Sequence, residues 1–320
     1  MSRARFLLKF TPLIGIFLFI FIIINIDLVK VVETFSRFNL IYFLAAFGIS
    51  LLFSLPKTLK WIKLIKSCEI NYSLREGVNV FFISGFISMI TPGRIGEFVK
   101  GIYLKDSTNT SLGKSISTVL MDRIIDIGVL ILFAITGILA FSYIYNFGTN
   151  IMIIIIILFI IFVSFAFIAM NKKYTKTIIK PIFSRVIPEK YKEKIRVNFD
   201  EFYSGIEMIT NRKKTLIMVI LLSVLIWMGG FFQFYMIALG FNIKISYFLI
   251  VMICSITMIF EMIPISVAGI GAREAVFIIF FSLIGLTAIE AISFSLMLLF
   301  YQYVCVLPGL FLWAKKPIKI

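Results

Sequence analysis

Thr91-Pro92-Gly93-Arg94-Ile95-Gly96-Glu97-Phe98-Val99-Lys100-Gly101 interrupts an apolar run in the first third of the chain, and Glu261-Met262-Ile263-Pro264-Ile265-Ser266-Val267-Ala268-Gly269-Ile270-Gly271-Ala272-Arg273-Glu274 interrupts another near its end. Proline has no N–H to donate and glycine tolerates dihedrals that other residues avoid, so each stretch is expected to break its helix. The backbone breaks are expected at Pro92, Gly93, Gly96, Pro264, Gly269 and Gly271. The runs that lead into them, 78 to 93 and 245 to 260, are free of charge yet only 16 residues long, short of the roughly 20 that cross a bilayer core. Irregular backbone survives at membrane depth only where protein buries it or it lines a polar cavity. Both interruptions also carry charge, which inside an apolar segment costs at least ~2.5 kcal/mol per residue and is usually paired, cavity-facing or functional.

Around them lie longer apolar runs at 10 to 26, 38 to 56, 127 to 147, 151 to 170, 215 to 241 and 291 to 314. The chain is 61% hydrophobic and 15% charged, with a mean hydropathy of +1.05, so lipid is its main solvent. The expected fold is an all-α polytopic membrane protein with about six full spans plus two broken or re-entrant segments. The run 10 to 26 has no clear cleavage site and is expected to be a retained span rather than a signal peptide.

A net charge of +16 raises the question of nucleic acid. The basic residues sit between apolar runs instead of on an aromatic-interleaved face, so no nucleic-acid partner is expected and the positive-inside bias explains them. Cys68, Cys254 and Cys305 lack disulfide or metal spacing and are expected to be packing residues. Histidine is absent, which removes His-based catalysis, His-ligated zinc and His proton relays. No Gly-Lys-Ser phosphate loop is present, and no metal or cofactor is expected.

Topology follows from the placement of Lys and Arg. If each broken segment enters and leaves by one side, Arg3, Arg5, Lys9, the Lys57 to Arg75 group, Lys105, Lys114, the 171 to 214 stretch and the C-terminal lysines share a face, leaving only Lys30, Arg37 and Lys244 opposite. A single crossing by the first broken segment would put Lys172 to Lys214 outside, against the positive-inside rule. The expectation is a cell-membrane protein with both termini cytoplasmic. Residues 1–148 then read as span, span, broken segment, span, and residues 149–320 repeat that order from the opposite side. That is the pattern of an inverted repeat with a transport site near the midplane. Within the second half, Tyr191, Ile195, Phe199, Phe202, Ile206 and Ile209 recur every three or four residues. The linker 171–214 therefore contains an amphipathic helix on the cytoplasmic surface, packed on the bundle or sensing lipid. Lys57, Lys60, Lys63 and Lys66 look like a snorkelling extension of the second span.

The charges in apolar context are Arg94, Glu97 and Lys100, then Asp122, Arg123 and Asp126, then Glu261, Arg273 and Glu274. Arg94, Glu97 and Lys100 share a face if that stretch is helical, and two cations flanking a carboxylate can hold a phosphate. Asp122 and Asp126 stack one turn apart, while Arg123 can bond Asp126 or reach another helix. The roughly neutral set suits a zwitterionic or phosphate-bearing ligand better than a bare cation. Interhelical ion pairs that merely fix the bundle are the structural alternative.

At these residues the sequence resembles the membrane region of the lysylphosphatidylglycerol synthase/flippase family. The matching motifs are Pro92-Gly93-Arg94-Ile95-Gly96-Glu97 with Lys100, then Asp122-Arg123-Ile124-Ile125-Asp126, then Gly269-Ile270-Gly271-Ala272-Arg273-Glu274-Ala275. Family members often carry Glu where this chain has Asp122, and a longer glycine run where it has Val267-Ala268. The resemblance implies a flippase-like fold that moves a phosphate-bearing lipid or lipid-linked precursor between leaflets, with membrane lipids as partners. In that reading Arg94, Lys100, Arg123 and Arg273 hold phosphate, and Glu97, Asp126, Glu261 and Glu274 balance charge or bind an amino group, with Asp122 on the same path. Bifunctional members add a soluble aminoacyl-transferase domain after the spans; only a few residues follow Trp313 here, so lysyl transfer is not expected. Two other classes remain open: a membrane-embedded transferase using a polyprenyl-phosphate donor, and an ion-coupled small-solute transporter, disfavoured because no compact solute pocket is evident. The sequence leaves the oligomeric state open.

Overall fold

The computed structural model of the protein describes residues 19–22, 24, 26–145, 149–177, 189–262 and 269–316. Most of the run 10 to 26 lies outside the described residues, as do Pro264 and both chain ends. The described residues are helical without a strand.

Local chemistry sets the helix starts. Asp27 accepts from the Val29 and Lys30 N–H groups and opens α1, Leu28–Ser36. Asn39 accepts from Ile41 N–H and opens α2, Leu40–Ser67. Ser73 accepts from Glu76 N–H at the head of α3, Leu74–Met89. These side chains satisfy N–H groups that the first helical turn leaves without partners. A 3-10 turn, Pro92–Phe98, leads into α4, Val99–Thr108, which stops at Asn109 in a left-handed conformation. Then come α5, Leu112–Tyr145, α6, Thr149–Met170, and α7, Glu189–Asn211. The chain continues through α8, Lys213–Gly240, α9, Tyr247–Met262, and α10, Ala272–Leu283. Thr287 and Glu290 form a capping box that opens α11, Ala288–Lys315.

Among the described residues α2, α5, α8 and α11 are long and apolar enough to cross a membrane. Only 17% of the most apolar window of α2 and 39% of that of α5 is buried within the protein. The remaining apolar surface, including Leu44, Leu52, Leu221 and Phe232, needs lipid against it.

The lengths α2 to α5 are 28, 16, 10 and 34 residues, and α8 to α11 are 28, 16, 12 and 28. Packing crosses between these two sets: α2 lies on α8, α3 on α11, and α9 on α5. Glycines permit the closest approaches. A Cβ at Gly309 on α11 would lie 2.0 Å from the Phe82 carbonyl oxygen of α3, and one at Gly137 on α5 would lie 3.1 Å from the Met252 Cα of α9.

Contacts also show which helix ends lie together. Arg212, ahead of α8, reaches Glu69 and the Lys66 carbonyl at the end of α2. Tyr103 of α4 donates to the Lys316 carbonyl past α11, while Asn198 and Glu201 of α7 bond Gly113 and Ser111 at the head of α5. At the other end Asn39 N–H donates to the Gly240 carbonyl, and Phe38 meets Phe241. The segment α3, Pro92–Phe98 and α4 thus begins and ends at the same end of the bundle. α7 is the amphipathic helix expected in the linker; it docks on α5 and buries Tyr203, Ile206 and Ile209.

Two apolar clusters share the interior. One gathers Trp61, Ile65, Leu104, Val119, Tyr203, Ile206 and Val219 near α7; the other gathers Phe43, Leu130, Phe231, Phe277 and Phe294. Along α2, α5 and α8 the polar residues fall between the two, at Lys57 and Lys60, at Asp122 to Asp126, and at Ser223 to Trp227.

Candidate functional site

Lys60 lies at the middle of that polar layer, 2% exposed. Its Nζ is 2.9 Å from Asp122 Oδ1 and 2.5 Å from Asp126 Oδ1, and donates to Ser223 Oγ at 3.2 Å. Ser223 in turn donates to Asp126 Oδ1 at 2.9 Å. An ammonium taken out of water loses several kcal/mol of solvation, and the two aspartates one turn apart on α5 supply the compensating charge. Lys100 of α4 stands 3.5 Å from Asp122 Oδ2 and 3.6 Å from Glu97 Oε2. Arg123 reaches across from α5 to pair with Glu97.

The Pro92–Phe98 turn aims these groups. Gly93 and Arg94 both have positive φ, 61° and 56°. For arginine this region costs roughly 1–2 kcal/mol, and it is held by Thr91, whose hydroxyl accepts from Gly96 N–H at 2.9 Å. Gly96 sits where a Cβ would lie 2.5 Å from the Ile87 carbonyl carbon, which fixes the turn against α3. Arg94 does not continue the row of Glu97 and Lys100, because the left-handed backbone turns it away. Its Nη2 instead donates to Glu261 Oε2 on α9 at 3.0 Å.

Glu261 also stands 4.0 Å from Arg273 Nη1. Arg273 and Glu274 are 1% and 0% exposed and bonded to each other at 2.8 Å, with Ser295 Oγ 2.6 Å from Glu274 Oε1. Glu274 Oε2 accepts from Gly271 N–H at 2.6 Å, capping α10. Gly271 has φ 88° and Gly269 φ 75°, and a Cβ at Gly269 would lie 2.5 Å from Glu261 Cγ. The second break therefore serves to seat Glu261 and to turn the chain into α10.

Between α2, α3, α8 and α11 lies a cavity of about 230 Å³. Its wall includes Arg94, Glu97, Lys100, Asp122, Arg123 and Asp126 of the residues expected from sequence, and Lys57, Lys60, Trp227, Gln233 and Tyr301, which were not. Glu261 stands behind Arg94, and Arg273 and Glu274 are sealed deeper and do not line it. Ser50, Lys57, Trp227, Gly230, Tyr301 and Gln302 fall at the middles of their helices, which places the cavity near mid-length of the bundle.

Three expectations are corrected here. Lys57 and Lys60 do not snorkel: one is buried in an ion-pair network and the other faces the cavity. The lining is not neutral, since five cations face three carboxylates and Glu261 brings the balance only to one positive charge. A compact pocket exists where the sequence showed none. Lys60 was missed because a lysine every third residue at a helix end is the ordinary appearance of snorkelling; its position level with Asp122 and Asp126 emerges only from packing.

Comparison with known proteins places the chain among membrane proteins. The model of the family described as lysylphosphatidylglycerol synthase TM region matches residues 10–309. A UPF0104 membrane protein of Pyrococcus horikoshii is 25% identical over 303 residues, covering 89% of this chain and 90% of its own. Two further UPF0104 membrane proteins are 24% identical. One, from Methanothermobacter thermautotrophicus, aligns over 242 residues and 72% of each chain; the other, from Methanocaldococcus jannaschii, aligns over 302 residues, 88% of this chain and 86% of its own. With the match spanning nearly every described element, the chain belongs to the lysylphosphatidylglycerol synthase transmembrane-region family and is a multi-pass membrane protein.

Proposed function

We propose that this protein is a flippase-like transporter that moves a phosphate-bearing lipid, or a lipid-linked precursor, between the leaflets of the cell membrane. The observation that carries the reading is the cavity, lined by charged residues with a net positive balance and set at mid-length of helices whose outer faces are apolar. A charged wall in that position is expensive unless it meets a polar cargo. Arg94 and Glu261 join the two sets of helices at its wall, as expected where a substrate passes between repeats.

The same reading takes residues 1–148 and 149–320 as inverted repeats, with six spans and two re-entrant hairpins. The matching lengths of α2 to α5 and α8 to α11, and the exchange of packing between them, support it. At 1.5 Å per residue α3 and α4 are about 24 and 15 Å long, too short to cross a core of about 30 Å. The end of the bundle that gathers Lys66, Lys114 and Arg212 would then be cytoplasmic, together with both termini. The head group would pass through the cavity while its tail stays in lipid.

Reconstitution into vesicles with labelled lipids tests the proposal. Transfer of a phosphate-bearing lipid between leaflets, slowed at least tenfold by Glu261→Gln, is the expected result. Unchanged leaflet distributions for anionic, aminoacylated and polyprenyl-phosphate lipids alike would refute it.

A further inference from the structure

The cations anticipated for phosphate, and Lys60 beside them, are already occupied. Arg94 is held by Glu261, Arg123 by Glu97, Lys100 by Glu97 and Asp122, and Lys60 by Asp122 and Asp126. Arg273 is paired with Glu274 and lies away from the cavity. An anion that displaced one of those carboxylates would leave it buried and unpaired, at a cost comparable to the gain. Lys57 is different. It lines the cavity with its Nζ 5.8 Å from the centre of the Phe81 ring, and among the described residues it has no ion pair with a carboxylate.

Two neutral donors on α8 share that wall. Gln233 is 4% exposed, and its Oε1 takes the Tyr301 hydroxyl at 2.6 Å, yet its Nε2 has no hydrogen-bond partner. Trp227 Nε1 is likewise buried without one. Trp227, Gly230 and Gln233 recur every third residue and therefore lie along one face of α8. Lys57 sits level with the Trp227 turn, since Lys60 bonds Ser223 and the two helices run antiparallel. Buried donors are ordinarily satisfied, and an orphan is costly. These two N–H groups are enclosed in the wall beside Lys57, so what the cavity meets there is an ammonium without a carboxylate, which calls for acceptor oxygens and has no use for a cation.

We infer that Lys57, flanked by Trp227 and Gln233, forms the seat for the phosphate oxygens of a compact head group, separate from the carboxylate-compensated cluster of Lys60, Lys100 and Arg123. About 230 Å³ lies below the 300–1,000 Å³ typical of drug-sized ligand pockets. The seat therefore matches a phosphomonoester or a phosphoglycerol-sized head. The identity of the cargo as a lipid rests on the flippase reading; the anion seat does not.

The test uses the full chain in a neutral detergent, titrated by calorimetry with dioctanoyl phosphatidic acid, dioctanoylglycerol, glycerol 3-phosphate and inorganic phosphate. The phosphatidic acid is expected to bind, and Lys57→Gln to weaken it at least about tenfold, the worth of one charged hydrogen bond. Lys57→Arg should restore most of that loss. Removing Lys57 strands no carboxylate, so the variant should fold. Gly230→Leu gives a second arm: a Cβ there meets nothing within 4 Å, so the side chain fills the cavity and should abolish binding. Tight, Lys57-dependent binding of glycerol 3-phosphate or inorganic phosphate would keep the anion seat and remove the lipid as its occupant. Unchanged affinity in both Lys57→Gln and Gly230→Leu, or equal binding of dioctanoylglycerol, overturns the inference. Vesicle transfer that persists unaltered in Lys57→Gln would sink the seat and spare the flippase reading; Lys57-dependent binding without any transfer would do the reverse.

Discussion

At the scale of single residues, Lys60 and its aspartates show how a buried charge set is held and why only part of it can be anticipated. Asp122, Arg123 and Asp126 announce themselves as charges at the head of an apolar run, whereas Lys60 resembles the lysines beside it until α2 is packed against α5. The same holds for Arg94, whose partner Glu261 is 167 residues away; local spacing assigned it to Glu97. Breaking a buried pair by removing one partner costs about 3–5 kcal/mol because the other charge is left unpaired. Lys60→Met should therefore lower the unfolding midpoint in detergent sharply. Adding Asp126→Asn and Asp122→Asn should return much of the loss, giving a coupling energy of about 1–3 kcal/mol in a mutant cycle. Additive losses across the cycle would mean that the short contacts around Lys60 carry no pairing energy.

At the scale of elements, the breaks were legible because proline and glycine act on their own backbone. Gly93, Gly269 and Gly271 all take positive φ. What the pattern could not supply was the three-dimensional purpose of each break, for one presents Arg94 to the cavity and the other seats Glu261 beneath it. The amphipathic linker helix was legible for a similar reason, its period of three and four, while its docking depends on a glycine in another element. A Cβ at Gly113 would lie 1.9 Å from the Asn198 carbonyl oxygen of α7. Gly113→Ala improves the helix propensity of α5 by roughly 0.5–1 kcal/mol, so any destabilisation reports the lost approach, about 1–3 kcal/mol for an overpacked contact. Hydrogen exchange should rise across 189–211 and stay unchanged across α2. No rise in 189–211 would show that α7 is held by its apolar face alone.

At the scale of the molecule, the decisive question is whether α3 and α4 return to the side they left, because the inverted repeat and the cytoplasmic placement of the basic linker both depend on it. The side chains argue for a return. Arg212 ties the end of α2 to the head of α8, and Tyr103 ties α4 to the end of α11. The linker helix also bridges to the head of α5 through Asn198. All of these contacts lie at one end, where the lysines and arginines gather, so the field that orients the chain and the geometry that closes the hairpin point the same way. The exposed positions Glu69, Asp106, Asp200 and Lys244 allow a direct check by single cysteines labelled with an impermeant thiol reagent in sealed vesicles. The native Cys68 and Cys254 are buried, and Cys305, which is less so, is replaced by serine. Cysteines at 69, 106 and 200 should react from one side and a cysteine at 244 from the other. If position 106 reacts together with 244, the first broken segment is a full crossing. The odd count that follows would place the basic linker outside, and the two halves could no longer be inverted copies meeting at the cavity.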